Sequence, residues 1–365
     1  MWQQIGRDKN RDGMMKGINQ FFRNNLFILV LASVVLGFLL GWQLPKIASS
    51  LSSLIVPILF LMIFVMIVPL EFRELVAVKK YKIEIIWGML GILILAPLIA
   101  YFIGLMFPDQ YDFLKTGLIL ASTMPPGGMI VSWAGLLSAS VELAMILQIV
   151  TFILALIAIP ITLQLLLSGS VNFSQSLLIQ NIALYIFLPL IIGFIVQILL
   201  KKKYSKEKIK SWKPTLTTIS SLCALLVVFI STSLKANDII TNPQMLLFGL
   251  VLAFIYYLII FLITLFFTGF FIDSYDNQMP IVYGTVSKNL SIGVALALSA
   301  FSSHIALGVI FCFIVQMPML SLFYKFIRKE EQEFADEAEK EKRKHPISKT
   351  LRKIRTAGKN FKKSS

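Results

Sequence analysis

Apolar runs of near-membrane length, repeated from one end of the chain to the other, constrain this sequence more than any single motif does. A helix needs roughly 20 residues to cross about 30 Å of hydrocarbon. The candidate spans are Leu26–Leu44, Leu51–Leu70, Ile83–Phe107, Leu114–Leu137, Val141–Leu167, Ser176–Leu200, Pro214–Leu234, Gln244–Phe271, Met279–Phe301 and Ile305–Ile327. With 57% hydrophobic and only 15% charged residues, the expectation is an all-α polytopic membrane protein of ten spans. Leu26–Leu44 follows a polar, basic segment as the apolar part of a signal peptide would. It is long for that role and no small-residue cleavage site follows it, so it is read as the first span.

Charge sets the expected topology. The 34 Lys and Arg against 19 Asp and Glu give a net charge of +15, and the basic residues lie between or beyond the apolar runs, as in cytoplasmic segments. Phe72–Lys82, with Arg73, Lys79, Lys80 and Lys82, and Lys201–Lys213 fall inside, whereas Pro108–Phe113 and Ser168–Gln175 carry few or no basic residues and fall outside. An even number of spans keeps both termini cytoplasmic in the cell membrane. Basicity is therefore read as topology, with no nucleic-acid partner. The expected organisation is a cytoplasmic segment 1–25, a ten-helix body 26–327, and a charged cytoplasmic tail 328–365 that meets anionic lipid. Five spans plus five place the halves, 26–167 and 176–327, in opposite orientations, as two inverted five-helix repeats.

Two spans at corresponding positions of the halves are interrupted by polar or helix-breaking residues. The fourth contains Ser122, Thr123, Met124, Pro125, Pro126, Gly127 and Gly128. Consecutive prolines remove two backbone donors and the glycines weaken what helix remains, so the helix should break there. At about 1.5 Å per residue the break lies roughly 15 Å deep, near the midplane, where irregular backbone survives only if protein or water satisfies it. The ninth span carries Thr285, Ser287, Lys288, Asn289 and Ser291 at roughly the same depth. Ser287 and Asn289 suit the start of a second half-helix, although a continuous helix is also compatible with this stretch.

A lysine at that depth costs roughly 2.5–3.5 kcal/mol on insertion scales, which makes Lys288 a functional-site hypothesis. The alternative is a lysine that snorkels or pairs with an acid; its depth opposes the first, and acidic partners in the spans are few. Half-helix N-termini meeting there would present N–H groups to an anion, with Lys288 adding a full positive charge. Gln148 and Gln316 could line the same cavity or bond between helices. Cys223 and Cys312 both lie in apolar runs, and His304 and His345 cannot complete a metal site with them. Neither metal nor cofactor is expected. No His-Glu-x-x-His, phosphate-binding loop or nucleophile elbow is present, so an enzyme is not expected either.

At the stretch from Gly284 through Thr285, Ser287, Lys288, Asn289, Ser291 and Gly293, and at the broken fourth span, the chain resembles the bile acid:sodium symporter family, in the superfamily that includes arsenite exporters. The resemblance covers roughly 26–327. It implies unwound, crossing fourth and ninth helices in a core domain, a panel domain from the first two helices of each repeat, and alternating access between the two. Sodium-using members carry a Gln-Asn pair with a Glu four residues before the Gln in the ninth span, and Ser-Asn in the fourth. Here Lys288 and Asn289 stand at the pair, Gly284 at the Glu, and Pro125 and Pro126 at the fourth-span crossing. The Lys288 ammonium is thus expected to replace the cation, leaving a proton as the coupling ion and sodium disfavoured. Arsenite exporters characteristically carry a Cys in the fourth span, and none lies there.

The expected function is secondary active transport of an organic anion. The residues expected to bind substrate or ion are Ser122, Thr123, Pro125, Pro126, Gly127, Gly128, Thr285, Ser287, Lys288, Asn289 and Ser291. A sodium-coupled symporter, an arsenite exporter, or a non-transporting sensor with the tail as its output are the alternatives. The expected partners are the small organic anion and the lipid bilayer, with no protein partner indicated.

Overall fold

The computed structural model describes residues 17, 21, 25, 28–68, 78–106, 108–167, 176, 180, 183–184 and 188–344. Most of the expected segment 1–25, the tail beyond 344, the stretch 69–77 with Arg73 and most of 168–187 lie outside the described residues. Regular structure among the described residues is helical, and the only strand-like pairing is one isolated bridge. The helices are α1 (Ile28–Gln43), α2 (Pro45–Leu51), α3 (Ile55–Ile67), α4 (Lys82–Met89), α5 (Ala96–Gly104), α6 (Asp112–Thr123), α7 (Met129–Leu136), α8 (Val141–Leu167), α9 (Leu188–Lys203), α10 (Lys206–Leu234), α11 (Ala236–Thr241), α12 (Gln244–Gly269), α13 (Tyr275–Val286), α14 (Leu290–Ala300) and α15 (Ser303–Lys344). A π-helical segment, Leu90–Leu95, joins α4 to α5 in one continuous span.

Six of the described helical stretches are long and apolar enough to cross a membrane: Pro45–Val65, Lys82–Gly104, Val141–Leu167, Glu207–Leu234, Gln244–Gly269 and Ser303–Ile327. Of the other expected spans, the first is the shorter α1, the fourth and ninth are each divided into two half-helices, and the sixth is described continuously only from Leu188.

Helix ends depart from the apolar runs for identifiable reasons. The second span starts at Pro45 rather than Leu51, because proline at a first helical turn forfeits no hydrogen bond. The polar residues that follow stay helical by bonding backwards: Ser49 and Ser50 hydroxyls donate to the Pro45 and Lys46 carbonyls. The seventh starts at Lys206, not Pro214, because Ser205 caps it by accepting from the Lys208 N–H at 3.4 Å. Its Lys and Glu residues are good helix formers, so helix continues where hydrophobicity stops. The ninth likewise starts at Tyr275 rather than Met279.

Packing sorts the helices into two groups. In the first, α3 packs on α9 and α10, and α1 crosses α10 so closely that a Cβ on Gly37 or Gly41 would strike the carbonyls of Phe229 and Ser233. In the second, α5 packs on α6 and α12, while α8 packs on α6, α7 and α13. The half-helix α13 stays within the second group, against α4, α7, α8 and α12; its continuation α14 packs on α3 and α10 as well as α6. Polar contacts fix the helix starts. The Ser140 N–H donates to the Asp276 carbonyl at 2.9 Å, and Asn277 Nδ2 to Glu84 Oε1 at 2.9 Å. Tyr81 and Lys80 both donate to Glu142, at 2.7 and 3.0 Å. Asp238 of α11 meets Lys235, just before it, at 2.8 Å and His304 of α15 at 2.9 Å. Burial raises the Asp238 carboxyl, but these two neighbours outweigh it and hold the group below its ordinary value.

The half-helix α6 reaches the interior by pressing Gly117 against Gly308 of α15: a Cβ on Gly117 would lie 2.7 Å from the Gly308 Cα and 2.5 Å from the Ile305 carbonyl. Gly117→Ala is expected to lower the unfolding midpoint of the detergent-purified protein, at an overpacking cost of about 1–3 kcal/mol. An unchanged midpoint in a thermal-unfolding assay would contradict this close approach.

Candidate functional site

The fourth and ninth spans break where sequence places their irregular residues, and the two breaks touch. After Thr123 the backbone turns extended at Met124 (φ −65, ψ 143), and α7 starts again at Met129. On the other side α13 ends at Val286, and Ser287 and Asn289 adopt nearly identical conformations, φ −83, ψ 78 and φ −80, ψ 78. These are inverse γ-turn values. The matching bonds are present: the Lys288 N–H donates to the Val286 carbonyl and the Leu290 N–H to the Lys288 carbonyl, both at 3.0 Å. Lys288 is thus an extended residue between two tight turns.

That extended residue pairs with Pro126 in an antiparallel bridge. The Asn289 N–H donates to the Pro125 carbonyl at 2.9 Å, and the Gly127 N–H to the Ser287 carbonyl at 3.2 Å. Pro125 and Pro126 lack N–H groups, so the fourth span contributes carbonyls here without burying unsatisfied donors. The opposite edge of Lys288 is completed by a side chain. Gln316 of α15 accepts from the Lys288 N–H at 2.9 Å and donates to the Lys288 carbonyl at 3.0 Å, as a neighbouring strand would. The Tyr257 hydroxyl of α12 donates to the same Gln316 oxygen at 3.1 Å and fixes the orientation of the amide.

The Lys288 ammonium lies within the protein. The residue is 1% exposed, and Nζ donates to the Ile92 carbonyl of the π-helical segment at 2.8 Å. Among the described residues it makes no ion pair with a carboxylate. Beside it, a Cβ on Gly284 would fall 2.8 Å from Ile130 Cδ1 and 3.3 Å from Ile92 Cδ1. The position where the family resemblance implies a Glu is therefore closed by two isoleucines.

The predicted residues divide by accessibility. Ser122, Thr123, Thr285, Ser287 and Lys288 are buried. The first three donate to carbonyls one turn back, those of Ile119, Leu120 and Ile281, at 2.6, 2.7 and 2.8 Å. The Ser287 hydroxyl is buried at the crossing, with no hydrogen-bond partner among the described residues. Pro125, Pro126 and Gly127 are buried in the crossing itself, while Gly128 is exposed and Asn289 and Ser291 are half-buried. Asn289 occupies the N-cap position of α14 but makes no side-chain cap bond. Gln148 lies beside Gly128, its Nε2 3.7 Å from where a Cβ would be, whereas Gln316 serves the backbone and does not face the exposed side. Ile92 and Tyr257 belong to the assembly and carry no signal in the sequence, being one aliphatic and one aromatic residue in apolar runs.

The model of the sodium bile acid symporter family matches residues 56–242, just over half of the chain. The chain belongs to the sodium bile acid symporter family. Relatives extend the match: an uncharacterized protein of Bacillus subtilis, YbaS, is 22% identical over 81% of this chain and 94% of its own length. The arsenical-resistance protein Acr3 of Alkaliphilus metalliredigens is 24% identical over 85% of this chain and 93% of its own. The family makes this chain a multi-pass membrane transporter of the bile acid and arsenite class.

Gln316→Ala should remove one of the two hydrogen bonds made by each of the Lys288 N–H and C=O, leaving only those of the tight turns, at about 0.5–1.5 kcal/mol for each bond lost. Gln148→Ala removes a buried amide that bonds neither of these backbone groups and should lower the unfolding midpoint less. Equal midpoints for the two variants would show that Gln316 does not hold the crossing.

Proposed function

We propose that this chain is a secondary active transporter of a small or medium organic anion, working across the cell membrane by alternating access and without sodium. The observation that carries this reading is the buried Lys288 ammonium at the crossing of the two broken helices, bonded to the Ile92 carbonyl beside a closed Gly284. An ammonium there supplies the charge that a bound cation would supply. Its titratable proton makes a proton the proposed coupling ion. The substrate meets the accessible side, Gly128, Asn289 and Ser291, with the buried Gln148 amide beside Gly128, where the first N–H groups of α7 and α14 favour an anion.

Ten spans in two inverted repeats, with both termini cytoplasmic, complete this reading. In it α1–α3 with α9 and α10 form the panel, and α4–α8 with α12–α15 the core. The packing of α14 on α3 and α10 supports a state closed on the outer side. A second reading, arsenite export, is favoured by the likeness to the Alkaliphilus protein; against it, the fourth-span segment 112–136 holds no cysteine.

Proteoliposomes would be assayed for uptake of a panel of carboxylates and sulfonates, and of arsenite, with external sodium or with choline in its place. Anion uptake should proceed equally in both, and Lys288→Ala should abolish it. A strict sodium requirement would overturn the sodium-free reading, and arsenite as the sole cargo would replace the organic-anion one.

A further inference from the structure

The acceptor of the Lys288 ammonium is a backbone carbonyl inside a helix, where carbonyls are normally occupied. In an α-helix Ile92 would accept from the Ala96 N–H, four residues on. Here the Ala96 N–H instead donates to the Gly91 carbonyl, five residues back, in the wider π-helical frame. In that frame the donor for Ile92 is residue 97, which is proline and has no N–H. The Ile92 carbonyl therefore has a backbone donor in neither register, and Lys288 Nζ stands 2.8 Å from it. Gly91 contributes to the same fit, since a Cβ there would lie 2.7 Å from Thr285 Oγ1, one turn from Lys288 on the facing half-helix.

We propose that Pro97 is a positioning residue for Lys288: by withholding an N–H it keeps the π-helical register and leaves the Ile92 carbonyl open to the ammonium. The third span is then the second pole of the crossing, and its irregularity a requirement of the buried charge rather than a defect of the helix. This deepens the reading of Lys288 as an internal cation. It rests, however, on the contact alone and holds whatever ion drives transport.

Its test needs no substrate. Thermal unfolding of the full-length protein in detergent would be compared for Pro97→Ala, Lys288→Met and the double variant. Pro160→Ala, which removes the proline inside α8, serves as the control. Replacing Pro97 by alanine restores an N–H that occupies the Ile92 carbonyl or returns the segment to the α register, orphaning the ammonium. Pro97→Ala should thus lower Tm when Lys288 is intact and not when it is combined with Lys288→Met, a coupling of about 2 °C or more. Pro160→Ala should act equally with and without Lys288→Met. With lysines labelled with carbon-13 at Cε, the resonance lost in Lys288→Met should move in Pro97→Ala and stay in place in Pro160→Ala. Should Pro97→Ala not fold, Pro97→Ser restores the same N–H. Equal Tm changes with and without Lys288→Met, or a Lys288 resonance that Pro97→Ala leaves in place, would overturn the proposal.

Discussion

A positive charge buried in an apolar bundle has to be answered by polar groups, and the site is built around that requirement. Lys288 has its ammonium bonded to the third span, through the Ile92 carbonyl, and its backbone bonded to the last, through Gln316. Its neighbours on either side are tied to the fourth span through Pro125 and Gly127. Three spans thus converge on one residue of a fourth. The breaks in the fourth and ninth helices then follow: an unbroken helix would use internally the N–H and C=O groups that here hold the crossing together.

The crossing has two sides of different character. Toward Ile92, Ile130 and Gly284 it is closed and apolar apart from the ammonium. Toward Gly128, Asn289 and Ser291 it is accessible, and there the half-helices α7 and α14 begin. Charge and access are separated by the thickness of one extended strand. In our account a substrate anion is drawn by backbone donors on one side and by a fixed cation behind them, and the packing of α14 against α3 and α10 would let movement between the two helix groups reach this point.

Much of this was legible in the sequence, and the exceptions have physical causes. Pro125, Pro126, Gly127 and Gly128 announce a break through local chemistry alone, and Lys288 is conspicuous by its cost in an apolar run. The helix starts were less legible at Lys206, Tyr275 and Pro45, because hydrophobicity reports the membrane while capping and propensity decide where a helix begins. The direction of the Lys288 side chain was not legible. Its acceptor is a main-chain carbonyl, which every residue owns, and Ile92 differs from any other isoleucine only through its place in a π-helical register. Gln316 could be seen as a polar residue in a span, but whether it lined a cavity or capped a strand depended on a conformation of Lys288 that the sequence left open.

In the proposed mechanism an amino-acid side chain, Lys288, occupies the charge position that a sodium ion would otherwise fill. Equilibrium dialysis of the purified protein against radioactive sodium, at constant ionic strength in choline, tests it most directly. The wild-type protein should show no saturable sodium binding. Saturable, stoichiometric binding with Lys288 in place would contradict the mechanism.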